Sequence, residues 1–260
     1  GAWGRTAVGA ACPHPLPPFS CSVPKPAAPA TDARRLTPHD VKVTMALGDS
    51  ITAGFAMIGL PPADLREFRA EVFSIGGSAD AAAITLPKVL KAATGARALP
   101  VGVAEGWTWP LTKGAYLDAA VSGAKVQGVP SQIDYLVHQL TAGDYKDKVD
   151  FANDWKMLTL FIGANNACDR CDNGGTRYDK KFYEEELRAV LTGVVTRIPR
   201  VFVNVYGLFN ISGVYTAGMK SFYCRELWKV DKHECGCLLE SDQSRLYMDK
   251  ASVDYNAVSA

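Results

Sequence analysis

Gly48-Asp49-Ser50 ends a short apolar run and opens a helix-like stretch in TMALGDSITAGF, Thr44 to Phe55. Two other polar clusters, Ser122-Gly123 and Gly163-Ala164-Asn165-Asn166, also follow apolar runs. Ser50 has two readings. Serine is a favoured helix N-cap, and Asp-Ser after a strand caps helices routinely. It is also a nucleophile whose backbone N–H can face developing negative charge. Asn165 divides in the same way. Its side chain satisfies a polar turn, or its carboxamide donates to an oxyanion. Gly123 can add a backbone N–H, because glycine lets the chain approach a substrate closely. A serine, a backbone donor and a side-chain amide are the parts of an acyl-transfer site.

Such parts work only if strands and helices bring them together. VKVTMAL (Val41–Leu47), YLDAAVSG (Tyr116–Gly123), KMLTLFIG (Lys156–Gly163) and RVFVNVYGL (Arg200–Leu208) read as strands. The third is an apolar run but for Lys156 and Thr159, the signature of a strand buried on both faces. PADLREFRAEVF (Pro62–Phe73) spaces Leu65, Phe68 and Val72 as a helix does, and ITLPKVLKAA (Ile84–Ala93) reads as a second helix. PSQIDYLVHQL (Pro130–Leu140) starts with proline and keeps Ile133, Leu136, Val137 and Leu140 on one face. Tyr178–Pro199 and Ser241–Ala260 complete the helices. Strands alternating with helices predict an α/β fold: a three-layer α/β/α sandwich with a mostly parallel central sheet. Active sites of such sheets lie at the carboxyl ends of strands, where the three polar clusters fall.

Residues 11–30 hold seven of the fifteen prolines, so residues 1–35 read as an extended N-terminal arm and 36–260 as the domain. With 48% hydrophobic residues the domain can bury a core, and a formal net charge of +1 argues against nucleic acid as a partner. No apolar run reaches the 18 residues that would predict a transmembrane segment. The seven cysteines, Cys12, Cys21, Cys168, Cys171, Cys224, Cys235 and Cys237, suit an oxidising compartment. Cys168-x-x-Cys171 and Cys235-x-Cys237 can also be read as zinc ligands, although His233 alone would support them and C-x-C is not a usual knuckle spacing. The sequon Asn210-Ile211-Ser212 is a glycosylation candidate that fits a secreted or lumenal protein, including one that works at a membrane surface.

ALGDSITAG, AAVSGAKVQGVPSQ and WKMLTLFIGANNACDRC resemble the first three blocks of the GDSL or SGNH hydrolase superfamily, and more narrowly its phospholipase B-like branch of secreted lipases. SIGGSADAAAITLPKVL, FVNVYGLFNIS and CRELWKVDKHECGCL agree with that branch. The resemblance implies an SGNH-type sandwich, flavodoxin-like in layout, that hydrolyses carboxylic esters of phospholipids or related lipids without metal or organic cofactor. Ser50 would be the nucleophile, with the backbone N–H groups of Ser50 and Gly123 and the Asn165 amide as the oxyanion hole. Asp49 would orient the turn. The cysteines at 168, 171, 224, 235 and 237 would form structural disulfides. They pair either as Cys168 with Cys171 or from these two to the 224–237 cluster.

Two departures stand out. The third block usually carries Asp where this chain has Asn166, which removes a charge-assisted hydrogen bond from the turn. The family also places its base and orienting acid near the C-terminus as Asp-x-x-His. Here His14 lies in the arm, His39 before the first strand, His138 in a helix and His233 among the cysteines. None stands in that motif. The domain is therefore expected to be incomplete at its C-terminal end, with the base supplied beyond Ala260 or by a companion polypeptide that completes the fold or forms a larger assembly. The alternative is an inactive SGNH-fold subunit kept for binding or assembly.

Overall fold

The computed structural model describes residues 23–58, 64–80, 83–109, 116–230 and 235–259. His14, Cys12, Cys21 and His233 lie outside them. Three parallel strands, β1 (Val41–Gly48), β2 (Trp155–Phe161) and β3 (Val201–Val205), form the sheet in the order β1-β2-β3. Every residue of β2 is buried between its two neighbours, including Thr159 and Lys156, whose Nζ donates to the carbonyls of Phe151, Asp154 and Pro199. Gly48 at the end of β1 pairs with Phe161 at the end of β2, so the polar clusters after both strands reach the same end of the sheet.

The helices, in chain order, are α1 (Ser50–Ala53), α2 (Leu86–Thr94), α3 (Val129–Thr141), α4 (Ala164–Cys168), α5 (Asp172–Gly175), α6 (Lys180–Arg197), α7 (Ser212–Gly218), α8 (Phe222–Val230), α9 (Gly236–Glu240) and α10 (Asp242–Ser259). They complete the three-layer α/β/α fold. Helix α3 packs on β1 and α6, and α6 packs on α10. Leu136, Leu140, Leu158, Leu187, Val190 and Met248 are among the buried residues of this core. Tyr183 of α6 stacks on Tyr255 of α10 with ring centroids 3.9 Å apart. Residues 23–30 are tied to later segments: Val23 N–H donates to the Ala93 carbonyl, and the Trp155 indole N–H to the Ala30 carbonyl, each at 2.9 Å.

Two sequence-based elements differ from the structure. The helix expected over 62–73 is absent among the described residues. Positions 59–63 lie outside the description, Glu67 bridges both Phe55 and Thr108 in extended backbone, and only Arg69–Glu71 forms a single 3-10 turn. Glu67 and Arg69 both reach the 118–122 segment, and residues two apart share a face only in extended chain. The expected strand over 116–123 is extended but makes one bridge, Ala46 to Asp118. Its amides at 119 and 121 donate to the β1 carbonyls of Ala46 and Gly48. On its other side the carbonyls of Asp118 and Ala120 accept from the Arg69 guanidinium, which occupies the position of a further strand.

Candidate active site

Asp49 answers the capping question. It is the N-cap of α1, and its carboxylate accepts from Ile51 N–H at 3.0 Å. Ser50 is the first residue inside the helix, and its hydroxyl has no hydrogen-bond partner among the described residues. Asp49 is 1% exposed, and burial pushes its carboxyl up from 3.8 to about 6, against the smaller pull of the Ile51 N–H and its own backbone N–H. No cation pairs with it among the described residues.

Gln132 clamps the strand end that carries this turn. Gly48 N–H donates to its Oε1 at 2.9 Å, and its Nε2 donates to the Gly48 carbonyl at 2.8 Å. Gln132 is 2% exposed and shares the buried face of α3 with Val129, Ile133, Leu136 and Leu140. A polar residue inside an apolar helical stripe is the signal that could have drawn attention to it. Gly48 itself leaves no room for a side chain, since a Cβ would stand 2.2 Å from Thr52 Oγ1 and 2.6 Å from the Phe161 carbonyl.

Gly123 lies beyond β1 on the side away from β2. Ala124 N–H closes a turn onto the Val121 carbonyl at 2.9 Å. Gly123 has φ +81° at the third position of that turn and Ser122 is not left-handed, the pattern of a type II turn. Asn165, in α4 after β2, donates through Nδ2 to the Ala124 carbonyl at 2.9 Å. That bond takes one of its two amide hydrogens and ties the β2 side of the site to the Gly123 turn.

Asn166 is fully buried and explains how an amide serves here. Its Oδ1 accepts from Val126 N–H at 2.9 Å, as a carboxylate would, and its Nδ2 donates to Gln127 Oε1 at 3.1 Å. The second bond is one that only an amide makes. Gly163, the N-cap of α4, sits at φ +118°, where a Cβ would press on the Tyr183 ring at 3.0 Å.

Ser50 and Asn165 open on one cavity of about 250 Å³. Phe209, Ile211, Val214, Trp228 and Leu238 supply apolar walls, and both Cys168 and Cys235 line it. Those two cysteines form one disulfide, and Cys171–Cys237 forms a second. The pairing therefore runs from C-x-x-C to C-x-C, not within C-x-x-C. It also occupies all four sulfurs that could have served zinc. Cys224 has no disulfide partner among the described residues, so the sequence expectation of a paired Cys224 is not met there. The sequence reading missed the cavity, because its wall is assembled from separate short helices near α4. Of the histidines, His39 precedes β1, and the eight-residue strand of about 26 Å separates it from Ser50. His138 lies in α3 and does not line the cavity.

The family model described as GDSL-like Lipase/Acylhydrolase matches residues 45–246. The chain belongs to that family. It is 34% identical over 187 residues to "Phospholipase B1, membrane-associated" of Homo sapiens, covering 69% of this chain and 12% of that protein. The mouse and rat proteins of the same name are each 30% identical, over 200 and 249 residues, covering 75% and 93% of this chain. The chain spans 12 to 16% of the length of these relatives. It is thus a member of a hydrolase and esterase family, related to phospholipase B1-like sequences. The two disulfides among the described residues are consistent with a secreted or lumenal protein in an oxidising compartment. No helix of the described residues is long and apolar enough to cross a membrane.

Proposed function

We propose that this GDSL-family chain hydrolyses carboxylic esters of phospholipids or related lipids, with Ser50 as nucleophile. The observation that carries this reading is the Ser50 hydroxyl, without a hydrogen-bond partner among the described residues, sharing an apolar cavity with the Asn165 amide. A general base takes the Ser50 proton as Oγ attacks the acyl carbonyl. The oxyanion is met by the N–H groups of Ser50 and Gly123 and by the free Asn165 amide hydrogen. The alcohol leaves with the proton, and water releases the acyl group with the same base assisting. This reading requires a general base that neither His39, ahead of β1, nor His138, in α3, supplies. At about 250 Å³ the cavity falls below the roughly 300–1,000 Å³ of sites for drug-sized ligands, and it suits part of one acyl chain.

A second reading, a noncatalytic binding or assembly subunit on the same fold, is favoured by one observation: neither described histidine lines the cavity. A fluorophosphonate probe separates the two. With native protein and a control serine hydrolase in the same tube, we expect adduct on Ser50 and none in Ser50→Ala. A labelled control beside an unlabelled Ser50 would refute the esterase reading.

A further inference from the structure

Next to the Val121–Ala124 turn lies a buried charge cluster. Glu67, Arg69 and Asp118 are 0%, 2% and 3% exposed. Charges at that depth are tolerated only when paired and hydrogen-bonded. Arg69 Nη2 donates to Glu67 Oε2 at 2.6 Å and to the Ala120 carbonyl at 3.0 Å. Its Nη1 donates to the Asp118 carbonyl at 3.0 Å and lies 3.1 Å from the Asp118 carboxylate. Thr108 Oγ1 donates to Glu67 Oε2 at 3.0 Å. The other Glu67 oxygen, Oε1, accepts from Ser122 Oγ at 2.5 Å, in the range of a short charge-assisted bond.

The direction of these bonds is informative. An ion pair needs only its partner, yet here the remaining hydrogen-bonding capacity is turned largely on one stretch of chain. Arg69 holds the backbone at 118 and 120, and Glu67 holds the side chain at 122. The next residue is Gly123. Type I and type II turns differ by rotation of the peptide between their two central residues. In this turn that is the Ser122–Gly123 peptide, whose N–H belongs to Gly123. Rotation would aim that N–H the opposite way, and glycine is compatible with both forms. The turn is tied on either side of the peptide, by Glu67 at Ser122 and by Asn165 at the Ala124 carbonyl.

We propose that Glu67, acting through the Ser122 hydroxyl, is a positioning residue that keeps the Gly123 N–H in its donor orientation, with Arg69 fixing the segment that leads into the turn. The inference rests on the ester-hydrolase reading above, because it gives Gly123 its role. A preorganised donor is effective because it need not reorient as charge develops.

The test uses native protein and a soluble p-nitrophenyl ester, with Ser122→Ala, Ser122→Thr and Ser50→Ala compared with wild type. Ser122→Ala removes the tether and leaves the charge cluster paired. Its kcat should fall about tenfold, less than the ~10²–10³ loss from deleting a donor. KM should stay within about twofold and amide exchange at Ala124 should quicken, while the urea midpoint falls because the buried Glu67 Oε1 loses its donor. Ser122→Thr, which keeps the hydroxyl, should restore kcat. A purely structural role would lower the urea midpoint as well but leave the kcat of the folded fraction intact. Wild-type kcat in Ser122→Ala, with Ser50→Ala inactive, would overturn the positioning role alone. Full turnover in Ser50→Ala would overturn the esterase reading and this inference with it.

Discussion

Asp49→Asn should stabilise this protein, by an amount that grows as pH rises from 4 to 6 and is complete above that. The wild-type carboxyl is 1% exposed, accepts Ile51 N–H at 3.0 Å and is held near 6 instead of 3.8 by burial. Each tenfold change in proton affinity is worth 1.36 kcal/mol, so ionised Asp49 costs the fold on the order of 3 kcal/mol. The sign follows from proton counts. Between pH 4 and 6 the folded state holds the proton that the unfolded state has released, so stability falls as pH rises through this window. Below pH 4 both states are protonated, and above pH 6 both are ionised and the cost is complete. Asparagine keeps an Oδ1 acceptor for Ile51 N–H and carries no charge. The variant should match wild type at pH 4 and exceed it by about 3 kcal/mol at pH 8. Asp118, which burial also raises to about 6 against the opposing pull of Arg69, titrates in the same window but is present in both proteins. The difference between variant and wild type isolates Asp49. Urea unfolding followed by tryptophan fluorescence at pH 4, 5, 6 and 8, with disulfides intact, measures it. A difference independent of pH, or a variant less stable at pH 8, would refute the reasoning.

Asn165→Ala should lower ester turnover by about two to three orders of magnitude while the urea midpoint moves little, because Asn165 is partly exposed and its Nδ2 donates to a loop carbonyl. Turnover within threefold of wild type would remove Asn165 from the oxyanion hole. Cys168–Cys235 and Cys171–Cys237 close loops of 67 and 66 residues, each worth about 4 kcal/mol by chain entropy if it stood alone. The two loops are nearly the same, so replacing either pair by alanine should cost far less than that, and replacing both should restore the full loss. Single-pair variants as unstable as the double one in urea would contradict this account.

The order of the main elements, and the strand ends that bring Ser50 and Asn165 to one cavity, were legible in the sequence, because buried parallel strands advertise themselves as short apolar runs. Met157, Leu158 and Leu160 are apolar on both faces of β2, and the polar clusters of 48–50 and 163–166 mark where strands emerge. Local periodicity also placed α3 and α6 to within a few residues. The segment at 64–72 was not legible: Leu65, Phe68 and Val72 have helical spacing, yet Glu67 and Arg69 find their partners some fifty residues away, and that pairing holds the chain extended. The same long-range contacts kept 117–121 from becoming a regular strand, since a guanidinium satisfies its outer carbonyls. Only the tertiary structure decided that Asp49 and not Ser50 caps α1, that Gln132 grips Gly48, and that the cysteine pairs cross between two loops to wall the cavity beside Ser50. Each of these depends on which distant atoms meet. A local sequence pattern fixes the direction of a side chain and leaves its partner to the fold.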